Sequence, residues 1–241
     1  MAIPYARVVA DDLNLGYGSV AVTMPAGGLA TSAKIGLHTF VVNVYNVCDF
    51  GADPSGDADC TAAFQDAVNR AQAVRGVVIV PPGRYKVLGQ IVMPNGVAII
   101  GYSTHATLQP TTGLVDRIGG SVLEIYSLTV SPFQYRSGNR FEGLTFYYPN
   151  QLRTQASPTV YPATFTFTVG ITASNNRWTS CQFVNSYVWI DIQVGHLDCV
   201  FDDLVGCPLS IGIHVDGGGG TDAFRRIRMS YYYWCQFTDA I

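Results

Sequence analysis

Residues 42–87 read "VNVYNVCDFGADPSGDADCTAAFQDAVNRAQAVRGVVIVPPGRYKV", and this stretch decides the fold. A valine-rich run leads into a turn-rich segment holding Asp49, Asp53, Asp57 and Asp59. Asp57 or Asp59 is suited to accept the free backbone N–H groups at the start of a helix. Phe64, Ala67, Val68, Ala71 and Val74 follow at spacings of three and four, which makes one apolar stripe on a helix over about 59–75. Gly76 ends it. Val77–Val80 is a β-branched run of the kind that is buried on both faces, and "PPG" at 81–83 breaks it. This is the clearest helix in a chain that otherwise reads as short strands and turns.

Bulk composition narrows the classes. The chain has 241 residues, 48% hydrophobic and only 13% charged, which suits a well-buried globular protein and excludes disorder. The net charge is -3 and no Lys/Arg run occurs, so no nucleic-acid partner is expected. "FRRIRM" at 224–229 alternates like one strand face. No stretch reaches the roughly 18 apolar residues of a membrane span. The N-terminal "MAIPYARVVADDLNLG" has no basic region followed by an apolar core, so no signal peptide is expected. None of the six cysteines forms a C-x-x-C pair, which leaves no zinc pattern; buried, reduced thiols are expected. Residues 1–45 alternate like strands around the loop "PAGGLATS" and read as a β-rich arm or attachment segment.

A loose repeat runs through the second half. Phe141/Leu144/Phe146, Trp178/Cys181/Phe183, His196/Cys199/Phe201 and Phe224/Ile227/Met229 share one internal spacing, with unequal lengths of chain between the copies. Alternating strands follow some copies, at Ile190/Ile192 and at Ile211/Ile213/Val215. An imperfect period of this kind points to a solenoid with unequal loops at its corners. A β-sandwich of similar-looking strands is the alternative.

Asp49, Phe50, Gly51, Ala52, Asp53, Gly56, Asp59, Thr61, Ala62, Pro81, Pro82, Gly83 and Tyr85 carry a specific resemblance. On these residues the segment resembles the opening coil of right-handed parallel β-helix proteins of the pectate-lyase-like superfamily, to which phage tailspikes and many bacterial polysaccharide-degrading enzymes belong. "FEGLTFYYPNQ" (141–151) and "YPATFTF" (161–167) resemble later coils more vaguely. Cys48 and Cys60 depart from the usual polar residues. The fold implied is all-β, a single-stranded right-handed parallel β-helix over 46–241 with an N-terminal capping α-helix. Such a helix would cover strand edges that otherwise template aggregation. Asp49, Asp53, Asp57 and Asp59 are then expected in turn and cap duty, with calcium the lesser reading.

The resemblance also implies a ligand, an extended polysaccharide held on a long shallow face. Aromatic platforms and paired carboxylates are the parts such chemistry needs. Asp191, Asp202, Asp203 and Asp216 are the catalytic candidates; Trp189, Tyr231, Tyr233, Trp234 and Arg226 are the substrate-binding ones. Asp202-Asp203, "GIH" (212–214) and "RIR" (226–228) faintly resemble polygalacturonase-type motifs in order, but the spacing is tight and Asn-Thr-Asp is missing. His196 and His214 read as ordinary strand or turn residues. No metal or other cofactor is expected; a lyase reading would add Ca2+. The phage tailspike or depolymerase reading implies a homotrimer on a virion. The rivals are a free-standing extracellular lyase or hydrolase and a non-catalytic glycan-binding solenoid. "FTDAI" at 237–241 reads as mid-strand sequence, so either a fragment or a last coil covered by another subunit is expected.

Overall fold

Among the described residues, apolar side chains stack on apolar side chains from coil to coil in the core columns. A computed structural model describes residues 21–23, 29–35, 38–74, 76–102, 120–151, 157–167, 173–192, 196–206, 208–215 and 220–229. The chain winds as a right-handed parallel β-helix with three main sheets and a two-stranded ladder of Ala173–Ser174 with His196–Leu197. Sheet A holds the parallel strands His38–Asn46, Val77–Ile79, Ala98–Ile100, Arg140–Glu142, Arg177–Thr179, Val200–Asp202 and Ala223–Arg225. Sheet B holds Ser55–Asp59, Gly83–Val87, Ser121–Ile125, Leu144–Tyr147, Gln182–Val184, Val205–Gly206 and Arg228–Met229. Sheet C holds Ile91–Val92, Phe133–Tyr135, Phe165–Phe167, Val188–Ile192 and Ile211–Val215. Of the 1–45 region, Ala21–Thr23 and Leu29–Ile35 add antiparallel to the His38–Asn46 edge of sheet A.

Strict register makes the core. In sheet A, Val78, Ile99, Phe141, Trp178 and Phe201 form one buried column, which the half-exposed Phe224 continues. Trp178 and Phe201 stack with centroids 5.0 Å apart, and Phe201 and Phe224 at 4.8 Å. Phe146 on Phe183 in sheet B (5.2 Å) and Phe133 on Phe165 in sheet C (5.3 Å) repeat the device. Strand spacing of about 4.8 Å matches ring-stacking distance, so each aromatic slot meets its copy in the next coil. The last coils are equal in length: Arg177–Val200–Ala223, Gln182–Val205–Arg228 and Val188–Ile211 are all partners at one and the same sequence separation.

This register corrects the repeat read from sequence. Phe201 occupies the slot of Trp178 in sheet A, so His196/Cys199/Phe201 is out of phase with the other copies. His196 lies instead in a two-residue strand beside Ala173. The small-x-aromatic spacing recurs on two different sheets, and spacing alone cannot separate them.

The bends use backbone that few residues adopt. Gly143, Ser180, Asp203 and Arg226 each turn sheet A into sheet B with a single left-handed residue, φ between 49° and 63°. Gly96, Gly138, Asn175 and Asp198 do the same before sheet A, at φ 54–72°. Gly, Asn and Asp tolerate this region best, which explains most of both columns. Each bend also bonds its neighbour: Ser180 N–H donates to the Asp202 carbonyl at 3.0 Å, and Asp203 N–H to the Arg225 carbonyl at 3.0 Å. Buried Asn139 and Asn176 join coils from inside, with Asn139 N–H donating to Asn176 Oδ1 at 2.8 Å.

The early helix, α1, spans Thr61–Gln72 and buries Ala63, Phe64, Ala67, Val68 and Ala71. It is shorter than the predicted 59–75. Asp59 Oδ1 accepts the Thr61 N–H at 3.0 Å and so stands before the first turn. Val74 lies past the last turn and is 44% exposed, so it is no part of the buried stripe. Gly76 N–H bonds the Ala71 carbonyl at 2.8 Å; a side chain there would meet the Asn43 carbonyl oxygen at 2.7 Å. α1 lies beside Ile91–Val92, the outermost strand of sheet C. The Gln65 side-chain amide donates to the Val92 carbonyl at 3.0 Å and accepts the Val92 N–H at 2.7 Å, as a neighbouring strand would. Thr61 Oγ1 accepts the Leu88 and Gly89 N–H groups at 3.1 Å.

Cys60, Cys181 and Cys199 are buried free thiols and Cys48 is half-buried; Cys207 and Cys235 lie outside the described residues. Burial pushes the Cys181 thiol up to about 12 and the Cys199 thiol up to about 11. Both should resist alkylation at neutral pH in the native protein and react after unfolding, as read by peptide mass mapping. Gln65→Leu removes both bonds to Val92 and should lower stability by about 1–3 kcal/mol, measured as a fall in the urea midpoint.

Candidate functional site

Alternation along the sheet C strands sets a polar column against the apolar one. Phe133, Tyr135, Phe165, Phe167, Ile190 and Ile192 are buried, so Gln134, Thr166 and Asp191 between them face outward. Gln134 pairs with Thr166, Phe165 with Ile190, and Asp191 with His214, which aligns the four polar residues on successive coils. His214 Nδ1 and Asp191 Oδ1 are 2.8 Å apart. The side chains are 47% and 22% exposed, open to a ligand on that face. An imidazole oriented by a carboxylate is a recurrent proton-transfer unit, and its other ring nitrogen is the working atom.

Asp202 and Asp203 stand elsewhere, where sheet A bends into sheet B. Arg226 Nε donates to Asp202 Oδ1 at 2.9 Å. Arg228 Nη2 donates to Asp203 Oδ1 at 3.1 Å, and Ser180 Oγ to Asp203 Oδ2 at 3.0 Å. The hydrogen bond from Arg226, with the positive charge of Arg226, Arg225 and Arg177, holds the Asp202 carboxyl below the usual carboxylate range. A proton donor needs the opposite shift. Asp203 is also explained by its backbone, as the left-handed residue of its bend.

The three motif fragments therefore divide between two faces. "RIR" does meet Asp202 and Asp203 through Arg226 and Arg228, but "GIH" places His214 on sheet C beside Asp191. Trp189 is fully buried and stacks on Phe183 at 4.7 Å, so it offers no face to a sugar; the expectation of a platform there is overturned by core packing. Tyr147 and Tyr148 are buried as well. Arg226 is exposed and ion-paired. Asp216, Tyr231, Tyr233 and Trp234 lie outside the described residues.

His214, expected as an ordinary strand or turn residue, joins the candidate site, as do Gln134 and Thr166, for which the sequence raised no expectation. The signal was present: Ile190-Asp191-Ile192 and Ile213-His214-Val215 each set one polar residue between two β-branched ones, one coil apart. Among the described residues no three His, Cys, Asp or Glu side chains gather as a metal site. Asp53 and Asp59 are in turn duty: Asp53 accepts the Ser55 N–H at 2.9 Å and the Ala58 N–H at 3.1 Å, and Asp59 accepts the Leu88 N–H at 3.2 Å. Among the described residues no helix is long and apolar enough to cross a membrane.

Fold and site together define a parallel β-helix with a polar column on one outer sheet. Over residues 44–186, more than half of its length, the chain matches the family described as "Rhamnogalacturonase A/epimerase, pectate lyase-like", and it belongs to that family. Three solved structures share the architecture. The catalytic unit of a thermostable GH87 alpha-1,3-glucanase from Streptomyces thermodiastaticus gives a TM-score of 0.50 at 20% identity, over 87% of this chain and 33% of that one. DFA-IIIase from Arthrobacter chlorophenolicus gives 0.58 at 14% identity, over 75% and 51%. The A-module of the mannuronan C-5 epimerase AlgE6 from Azotobacter vinelandii gives 0.58 at 20% identity, over 75% and 49%. At these identities the likeness is one of fold. The chain spans a third to about half of the length of these proteins. No curated protein matches the sequence.

Arg226→Gln should move the titration of Asp202 upward, toward the unperturbed value of about 3.9. Carboxyl carbon shifts followed against pH by NMR would check it.

Proposed function

We propose that this protein binds and cleaves an extended polysaccharide on the outer face of sheet C. The observation that carries the reading is the Asp191–His214 pair, 2.8 Å apart and in register on adjacent coils of a solenoid face. In this reading Asp191 orients the imidazole, and His214 takes or gives the proton at the scissile linkage. Gln134 and Thr166 continue the column and supply hydrogen bonds to neighbouring sugar hydroxyls. Family membership supports a carbohydrate substrate, as do the printed activities of the structural relatives: a glucanase and a mannuronan epimerase. Cleavage proceeds by hydrolysis or by β-elimination. We further propose the setting of a tailspike or depolymerase, a homotrimer on a virion acting on a surface glycan; a free-standing extracellular enzyme is the rival.

The purified chain is incubated with a panel of capsular and plant polysaccharides, while reducing ends and the ultraviolet absorbance of unsaturated sugars are followed together. Absorbance rising with reducing ends indicates elimination; reducing ends alone indicate hydrolysis. His214→Ala and Asp191→Asn should each lower the rate about 10²–10⁴-fold, the usual weight of general acid–base catalysis. If polymers are retained without cleavage, the enzymatic reading falls and a binding solenoid replaces it. Light scattering separates a trimer from a monomer.

A further inference from the structure

A second outer surface, separate from sheet C, carries most of the exposed positive charge among the described residues. Arg140 and Arg177 are partners on adjacent strands of sheet A. Arg225, two coils beyond Arg177, pairs with Asp202, and Arg226 and Arg228 follow around the bend into sheet B. All five guanidinium residues are exposed. Three acids share the strip, and each already has an arginine: Glu142 binds Arg140, Asp202 binds Arg226, and Asp203 binds Arg228. Among the described residues Arg177 and Arg225 have no ion pair, although both lend positive charge to Asp202. A guanidinium carries five donors, so these two present a surplus toward solvent.

The strip is rigid. Its residues stand on ladder strands and on single-residue bends, spaced by the coil repeat of about 4.8 Å. Arg226 holds φ 49°, where the three preceding coils place Gly143, Ser180 and Asp203. An unusual residue in that conformation, fixed by its bond to Asp202, is an observation that asks for a use.

We propose that this strip is a binding site for an acidic polysaccharide, bearing carboxylate or sulfate groups and lying along the solenoid axis. The mixture of charges selects the class. Guanidinium groups take the anionic substituents through charge-assisted hydrogen bonds. The carboxylates of Glu142, Asp202 and Asp203 stand among the arginines and repel the densely spaced charges of a phosphate backbone more than the wider-spaced charges of a sugar chain, so nucleic acid fits less well. The site anchors a polymer and requires no chemistry at Asp191 or His214.

The test uses the full chain with polygalacturonate, dextran sulfate, neutral dextran and duplex DNA, at two salt concentrations. Wild-type protein should hold one or both acidic polymers and release them as salt rises, with no retention on neutral dextran. Arg177→Gln combined with Arg225→Gln should weaken that binding about tenfold or more, the loss of one charge-assisted contact or better. Arg70→Gln, which removes an exposed arginine of α1 away from the strip, should bind as wild type, so that the loss is specific to the strip. Arg226→Gly frees the left-handed bend of its side chain, so it should weaken binding while the unfolding midpoint stays equal or rises. The proposal is overturned if neither acidic polymer binds, if the double variant binds as wild type, or if duplex DNA binds more tightly than both polymers.

Discussion

The core and the candidate site both depend on parallel strands that pair in register from coil to coil; the one shift in the described ladders lies at the leading end, between Ser55 and Asp59. In-register pairing puts Trp178 over Phe201 and Phe201 over Phe224, ring on ring, and it puts Asp191 beside His214 by the same rule. A slip of one residue would turn every buried ring outward and every polar residue inward. Core and candidate site are thus two faces of one constraint. A stacked aromatic pair adds about 0.5–1.5 kcal/mol beyond its buried area, so the ladder also gains stability from keeping register.

Keeping register requires that the chain turn cheaply and begin cleanly. The left-handed columns solve the first problem with one such residue per bend, and Ser180 and Asp203 each donate their N–H to the next coil. At the leading end the first strand of sheet C has no further strand beside it among the described residues. Gln65 supplies both halves of the missing ladder from a helix side chain, and Thr61 and Asp59 take the N–H groups just before it. The helix therefore serves the backbone as well as the apolar core.

Much of the fold was legible because its opening segment carries its own logic: an apolar stripe on Phe64, Ala67, Val68 and Ala71, then Gly76, then a β-branched run. The phase of the later coils was not. Phe183 and Phe201 follow a cysteine at the same spacing yet lie on different sheets, and only pairing partners separate them. The candidate site was half legible. Asp191 between two isoleucines announces an outward carboxylate, but His214 gains meaning only when one full coil brings it alongside. Trp189 misled because an aromatic side chain in a strand suits a sugar platform and a core equally well. Asp203 misled because a backbone demand for Asp and a catalytic demand for Asp look identical in a sequence.

The connections from sheet B to sheet C differ sharply in length. One runs only from Val184 to Val188, whereas the coil before it runs from Tyr147 to Phe165. The bends from sheet A to sheet B in the last four coils each keep a single left-handed residue. The variable margin borders the sheet that carries Gln134, Thr166, Asp191 and His214. Lineages of this architecture can therefore raise, lower or remodel the rim of that face loop by loop, leaving the spine untouched. Shape is inherited through the constant corner, and selectivity can drift along the opposite edge.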